Sequence, residues 1–257
     1  MEATWVPILR EHILSVRQHR PAFRLACVLK SSYLLTSGSN FGRLAVMLEQ
    51  SLPADAVVLY AFSNFSDAVA ARAMGLRKRI LCLYYVAAEE ASVASEHGVE
   101  IGCPNRLWFD EAMSLLARDQ HSDSRQLLLH LWLDVGLCRE GYRQIHQMVD
   151  DAVWIQRHYG ARARVVGFGA QCQQAQTPGE HARELLQNVL QYDQAQRNCY
   201  VRALAPQLQH FARLKRAVEE VFGPAATKRL DFHIASSKHV ALNIREMSYS
   251  FAPSASW

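Results

Sequence analysis

Lys30 closes the apolar run "LACVL" (residues 25–29), and an ammonium at that place is costly unless something accounts for it. Taking an unpaired charge out of water is expensive, so the side chain either escapes to solvent at a strand end or has chemistry to do there. A lysine partly withdrawn from water titrates lower and can form a Schiff base with an aldehyde. Two other stretches carry phosphate-binding chemistry. "HIASSKH" sets Ser236 and Ser237 after another apolar run, where two hydroxyls can hold phosphate or simply make a loop turn. "NIREMSY" follows, and the backbone N–H groups around Met247 and Ser248 can share the same anion. In "HLWLDVGLCREG", Asp134 and Gly136 end a strand sharply and Arg139 stands at the expected start of a helix. A guanidinium there can hold a carboxylate or a phenolate, or it can be an ordinary solvated arginine. His130, inside the apolar part of that run, reads as a hydrogen-bonded core histidine.

The elements that must position these residues follow from the pattern of apolar runs. Eight are present: Leu25–Leu29, Ala56–Phe62, Ile80–Tyr85, Val99–Cys103, Leu127–Leu133, Ala163–Ala170, Leu230–Ala235 and Val240–Arg245. They are nearly continuous rather than alternating, as parallel strands covered on both faces are. Amphipathic stretches of helical period lie between most of them, among them Gly42–Gln50, Ser66–Met74, Asn105–Ala117 and Arg139–Arg157. Eight strands with helices between them predict an α/β fold of the (β/α)8 TIM-barrel type, with an open doubly wound sheet as the alternative. In a barrel the C-terminal strand ends line the active-site mouth, and phosphate is often held by the loops after strands seven and eight. "TPGEHARELLQ" opens one more helix, with Thr177 as cap, Pro178 at the first helical position and Glu180 completing a capping box. An extra helix is therefore expected at about 180–205, inserted before strand 7.

The bulk properties narrow the function further. A chain of 257 residues suits one barrel domain spanning 1–257. The net charge of +4 is modest and no basic run reads as a nucleic-acid arm. The eleven histidines show no ligand-like spacing, so no metal site is expected. Six widely separated cysteines without a CxxC read as free thiols in a reducing compartment, hence a cytoplasmic protein. The N-terminus lacks the charged and apolar regions of a signal peptide, and no apolar stretch is long enough to span a membrane.

Taken together, these motifs resemble the N-terminal barrel of the alanine racemase family, enzymes that use pyridoxal 5'-phosphate (PLP). "RLACVLKSSY" is similar to the family's strand ending "VVKA", which puts Lys30 on the Schiff-base lysine. Tyr33 then resembles the family's tyrosine beside the phosphate, one residue closer to the lysine than usual. "ADAVVLYAFSNFSDAVAARAMGLRKRILCL" looks like the family's second strand, helix and third strand. "LHLWLDVGLCREG" resembles "VHLKVDTGMxRLG", which places Arg139 on the arginine that contacts the cofactor's phenolic oxygen and the substrate side. "HIASSKH" resembles "HxANSAA", with Ser237 on the phosphate serine. "IREMSYS" resembles "VRPGIALYG", with Arg245 on the arginine facing the pyridine nitrogen.

The resemblance implies a PLP-dependent amino-acid racemase or epimerase, an isomerase that removes and returns the Cα proton of a small amino acid, and a homodimeric assembly. Lys30 and Arg139 would be the catalytic residues. Lys30, Tyr33, Ser236, Ser237, Arg245, Met247 and Ser248 would hold the cofactor. An arginine facing the ring nitrogen is a poor acid, which suits brief deprotonation rather than transamination. The chain also departs from the family. Trp132 stands in place of a lysine, Gln171 in place of a histidine beside the ring, and the stretch between Ser237 and Arg245 is short. No C-terminal β-domain follows the eighth run, so the tyrosine it supplies as second base needs a substitute. Tyr33, Cys138 and Tyr249 are the candidates. Two other readings share the cofactor or the fold: a non-catalytic single-domain PLP-binding protein of PLP homeostasis, and a degenerate barrel acting as a binding or regulatory module.

Overall fold

The protein is described by a computed structural model in which residues 2–19, 24–29, 39–118, 126–135, 140–171, 209–235 and 249–254 are placed. Seven strands run parallel in sequence order: β1 (Arg24–Leu29), β2 (Leu59–Phe62), β3 (Arg79–Cys82), β4 (Val99–Cys103), β5 (Leu127–Leu133), β6 (Ala163–Gln171) and β7 (Asp231–Ala235). The expected strands match these closely, and the second and third are shortened. An eighth strand, β8 (Tyr249–Ser254), pairs with β1 and is antiparallel to it, with Leu29 opposite Tyr249 and Cys27 opposite Phe251. The sheet order is therefore β7-β6-β5-β4-β3-β2-β1-β8, and it curls until its edge strands β7 and β8 come near each other. This corrects the expected all-parallel barrel. The run Val240–Arg245, read as strand eight, lies outside the described residues, and the strand that covers β1 is the later segment running the opposite way. The extra helix expected at about 180–205 also lies outside them.

Helices α1 (Glu2–His19), α2 (Ser39–Ser51), α3 (Phe65–Ala73), α4 (Ala91–His97), α5 (Arg106–Arg118) and α6 (Ile145–Tyr159) alternate with the strands. Residues 209–222 are helical as well, and a short turn of helix, Pro224–Thr227, leads to β7. Each long helix buries one stripe at three- and four-residue spacing. In α5 this stripe is Phe109, Ala112, Met113 and Leu116, and in α6 it is Met148, Ala152 and Ile155. Local chemistry sets the helix ends. Asn105 Oδ1 accepts the Trp108 N–H at 2.9 Å and so caps α5. Gly98, with φ of 58°, ends α4 in the left-handed conformation that only glycine adopts cheaply.

The strand period of two divides the sheet's side chains between two cores. Tyr60, Phe62, Ile80, Ile101, Leu129, Leu131 and Phe168 face the helices and build the large core. Ala26, Val28, Leu59, Ala61 and Leu81 meet on the other, inner face. A fully buried leucine such as Leu48 contributes roughly 2 kcal/mol by burial of its apolar surface. The inner face carries much less apolar material, and the rest of its space is filled by polar and aromatic rings.

Candidate functional site

Because β1 to β7 are parallel, their C-terminal ends share one rim. Leu29, Leu133, Gln171 and Ala235 are the last residues of β1, β5, β6 and β7 there. Lys30, the loop bearing Arg139, and Ser236 with Ser237 follow three of these ends directly in sequence. Lys30, Tyr33, Cys138, Arg139, Ser236, Ser237, Arg245, Met247 and Ser248 themselves lie outside the described residues. Of the candidates for a second base, Tyr249 is described as backbone only, opposite Leu29 in the β1–β8 ladder.

The base of the loop that carries Arg139 is well defined. Tyr142 N–H donates to the Trp132 carbonyl at 2.7 Å, and Asp134 N–H donates to the Tyr142 carbonyl at 2.8 Å. The Tyr142 hydroxyl donates to Asp151 Oδ2 at 2.9 Å, which ties the loop to α6. Gly141 between them has φ of 132°, and a Cβ there would lie 2.7 Å from the Trp132 carbonyl oxygen. These bonds also correct an expected boundary. The helix predicted from Arg139 begins at Ile145, because Tyr142 is held in a bridge to Leu133 and its backbone cannot turn helical.

Beneath the rim the inner face is a column of rings and charges. Trp132 is buried, and its indole occupies the space left by Gly102 and Gly169. A Cβ at Gly102 would collide with Trp132 Nε1, and one at Gly169 would lie 3.0 Å from Cζ3. His233 meets Trp132 edge-on, ring centroids 5.2 Å apart. His130 Nδ1 and His233 Nε2 share a hydrogen bond of 2.9 Å, and His130 Nε2 lies 2.6 Å from Glu100 Oε2. Gly167 makes the room for His130, whose Nδ1 would be 2.5 Å from a Cβ there. Arg79 reaches Glu100 with a fork, Nε to Oε1 at 2.6 Å and Nη2 to Oε2 at 2.7 Å. Its third nitrogen meets Asp231 Oδ2 at 2.5 Å. His130 is thus the bonded core histidine expected from its run.

The electrostatics follow from the geometry. Burial pushes the Glu100 carboxyl up, but hydrogen bonds from His130 and Arg79, with their charges, carry it down to about 2. Burial works against the Arg79 guanidinium, yet its bonds to Glu100 and then the Asp231 charge hold it above its ordinary value. His233 is driven well below the usual histidine range, first by burial and then by its neighbour His130. Sequence reading missed Arg79, Glu100 and His233. The available signal was an acid inside an apolar strand, "VEIGC", which requires a buried cation somewhere else in the fold.

The donors at and beyond the rim fit a phosphorylated aldehyde by their chemistry. Lys30 would offer an amine to an aldehyde carbon, Ser236 and Ser237 hydroxyls to a phosphate that the backbone N–H groups around Met247 and Ser248 can share, and Arg245 a guanidinium to a ring nitrogen. Trp132 and His233, both nearly inaccessible, give that rim a dry floor.

Comparison with known proteins shows the family and the fold. A family model described as "Alanine racemase, N-terminal domain" matches residues 9–246. The alanine racemase of Streptococcus equi subsp. equi is 28% identical over 137 residues, covering 53% of this chain and 34% of that protein. The enzyme of Staphylococcus epidermidis is 24% identical over 145 residues, covering 56% and 36%. Among solved structures, alanine racemase from D-cycloserine-producing Streptomyces lavendulae superposes with a TM-score of 0.65 at 18% identity, over 95% of this chain and 54% of that one. The Bacillus anthracis enzyme with bound L-Ala-P gives 0.62 at 16% identity, over 90% and 50%. The structural likeness is one of fold, and the matched region is about a third of the curated relatives' length.

Proposed function

The chain belongs to the alanine racemase N-terminal domain family, a family of PLP enzymes, and from that membership we propose that it binds PLP at the C-terminal rim and catalyses racemisation or epimerisation of a small amino acid. The observation that carries this reading is the shared rim: strands β1, β5 and β7 run in one direction and end at the same edge of the curled sheet, and a different donor follows each in sequence. Bound PLP supplies an electron sink that makes the Cα–H bond of an amino acid acidic.

The protein's own contribution divides among its residues. Lys30 Nζ would hold the cofactor, and its amine is the group that would take the Cα proton on one face. Lys30 follows Val28 by two, the strand period, and Val28 belongs to the inner-face cluster, which supports an inward role for that amine. Ser236, Ser237 and the backbone around Met247 and Ser248 hold the phosphate, with Tyr33 beside it. Arg245 faces the ring nitrogen without giving up a proton. Arg139 orients the phenolic oxygen or the substrate carboxylate, on a loop whose base is pinned by Trp132, Asp134 and Tyr142. Tyr249, whose backbone lies opposite Leu29, is the candidate for the proton on the other face. The buried free thiols Cys27, Cys82 and Cys103 support a reducing compartment such as the cytoplasm, and a homodimer is the expected assembly.

The test is exchange of the Cα proton in deuterated water. The PLP-loaded protein, offered a panel of small amino acids, is expected to wash out the Cα proton of at least one. Lys30→Ala is expected to lose both the visible absorbance of the cofactor and the exchange. Cofactor binding without exchange on any amino acid would replace this reading with that of a PLP carrier.

A further inference from the structure

The opposite rim, at the N-terminal strand ends, holds a cavity that the reaction does not use. Its volume is about 670 Å³, within the range of small-molecule pockets of about 300–1,000 Å³. Arg79 begins β3, Arg164 lies at the start of β6 and Arg229 comes just before β7, so the cavity is at the opposite end of the strands from the C-terminal end of β1. Its floor includes the Arg79–Glu100 fork. The fork is neutral in itself and Arg79 is further engaged by Asp231, so it offers no spare positive charge to a ligand. Its walls include Phe168, Phe222 and Leu230, of which Phe222 and Leu230 keep part of their apolar surface open. Over these walls stand two exposed guanidiniums, Arg164 and Arg229, whose side chains have no hydrogen-bond or ion-pair partner among the described residues.

We propose that this cavity binds an amphipathic organic carboxylate, its anionic head between Arg164 and Arg229 and its apolar body against Phe222 and Leu230. Two guanidiniums present matched donors to a carboxylate, and a partly open apolar wall gains by being covered. An inorganic anion would satisfy the arginines but leave the wall wet. A cation is disfavoured by the same pair. Barrel enzymes place catalysis at the C-terminal face, so a ligand here is non-catalytic. Through the Glu100 carboxylate the cavity floor is hydrogen-bonded to His130 and so to His233, two residues before the end of β7. That places a bound carboxylate one bonded chain away from the strand that leads to Ser236. The site does not depend on the assignment of racemase activity.

The experiment is calorimetric titration of the full chain with 3-phenylpropanoate, with inorganic phosphate as the head-only probe. Saturable binding is expected in the parent protein and equally in Lys30→Ala. Arg164→Gln combined with Arg229→Gln is expected to weaken it at least tenfold, as is Phe222→Ala, while circular dichroism reports an unchanged fold. Phosphate is expected to bind more weakly than 3-phenylpropanoate. Absence of saturable binding, binding indifferent to the double arginine variant, loss of binding in Lys30→Ala, or phosphate binding as tight as the organic anion would each overturn the proposal. Failure of the racemase reading would leave all of these outcomes unchanged.

Discussion

Glu100 is the residue on which the interior charge balance turns. It is almost fully buried, accepts from Arg79 and lies within hydrogen-bond reach of His130. Glu100→Gln removes the anion and leaves its cationic partner Arg79 and the buried ring of His130 without it. Breaking a fully buried pair from one side costs about 3–5 kcal/mol; Arg79 is partly exposed and keeps Asp231, so the variant is expected to lose less, about 1–3 kcal/mol in urea unfolding. The same group sets a pH dependence. Its folded carboxyl titrates at about 2 and the ordinary value is 4.5, so the unfolded chain binds the proton first and stability is lost as pH falls through that window. His233 acts in the same direction and earlier. Its folded form resists a proton that the unfolded form accepts below about pH 6.5. The urea midpoint is therefore expected to fall on acidification from about pH 6.5 and to fall more steeply below about 4.5, with the first limb flattened in His233→Gln. None of this was legible as a network in the sequence. His130 announced a buried polar group, but its partners Glu100 and His233, and Arg79 beyond them, lie on other strands, and nothing local says which strand faces which.

At the scale of elements the sequence was far more informative, because each strand and helix carries its own period. The runs at β1, β4, β5, β6 and β7 matched the observed strands within a residue, since buried parallel strands need continuous apolar side chains on both faces. The errors have local causes. β2 starts at Leu59 because Pro53–Ala56 closes a turn before it, with Ala56 N–H on the Pro53 carbonyl at 2.9 Å. Helix α4 was missed because its seven residues are too few to show a stripe. The direction of β8 is a matter of long-range pairing that an apolar run does not encode. The glycines at 102, 167 and 169 each open space for a ring from a neighbouring strand, a role that only the pairing of strands reveals. Gly102→Ala puts a methyl group into the Trp132 indole, which has no flexible end to withdraw. A cost of about 1–3 kcal/mol is expected from overpacking. The cost should shrink in the Trp132→Leu background, and a double-mutant cycle measures the difference. Equal losses in both backgrounds would mean that the indole is not what the methyl group meets.

At the scale of the whole molecule, the large core encloses Cys27, Cys82 and Cys103. Burial pushes the Cys27 and Cys82 thiols up to about 12 and raises Cys103 as well. These thiols react as thiolates, and the fold supplies neither the thiolate nor access. In native protein near pH 8 the three are expected to resist alkylation, measured by mass spectrometry, and to label together once urea opens the core. Labelling of any of them at the rate of a free thiol would show that its strand opens independently. Among the described residues no helix is long and apolar enough to cross a membrane.

The ion pair between Arg79 and Asp231 joins β3 to β7, two strands that share no ladder, across the hollow of the sheet. His130 and His233, which are 103 residues apart, link β5 to β7 past the intervening β6 on the same face. The Arg79–Asp231 tie therefore holds the curvature of the sheet rather than the pairing of its strands: flattening the sheet would keep every ladder and break that one contact.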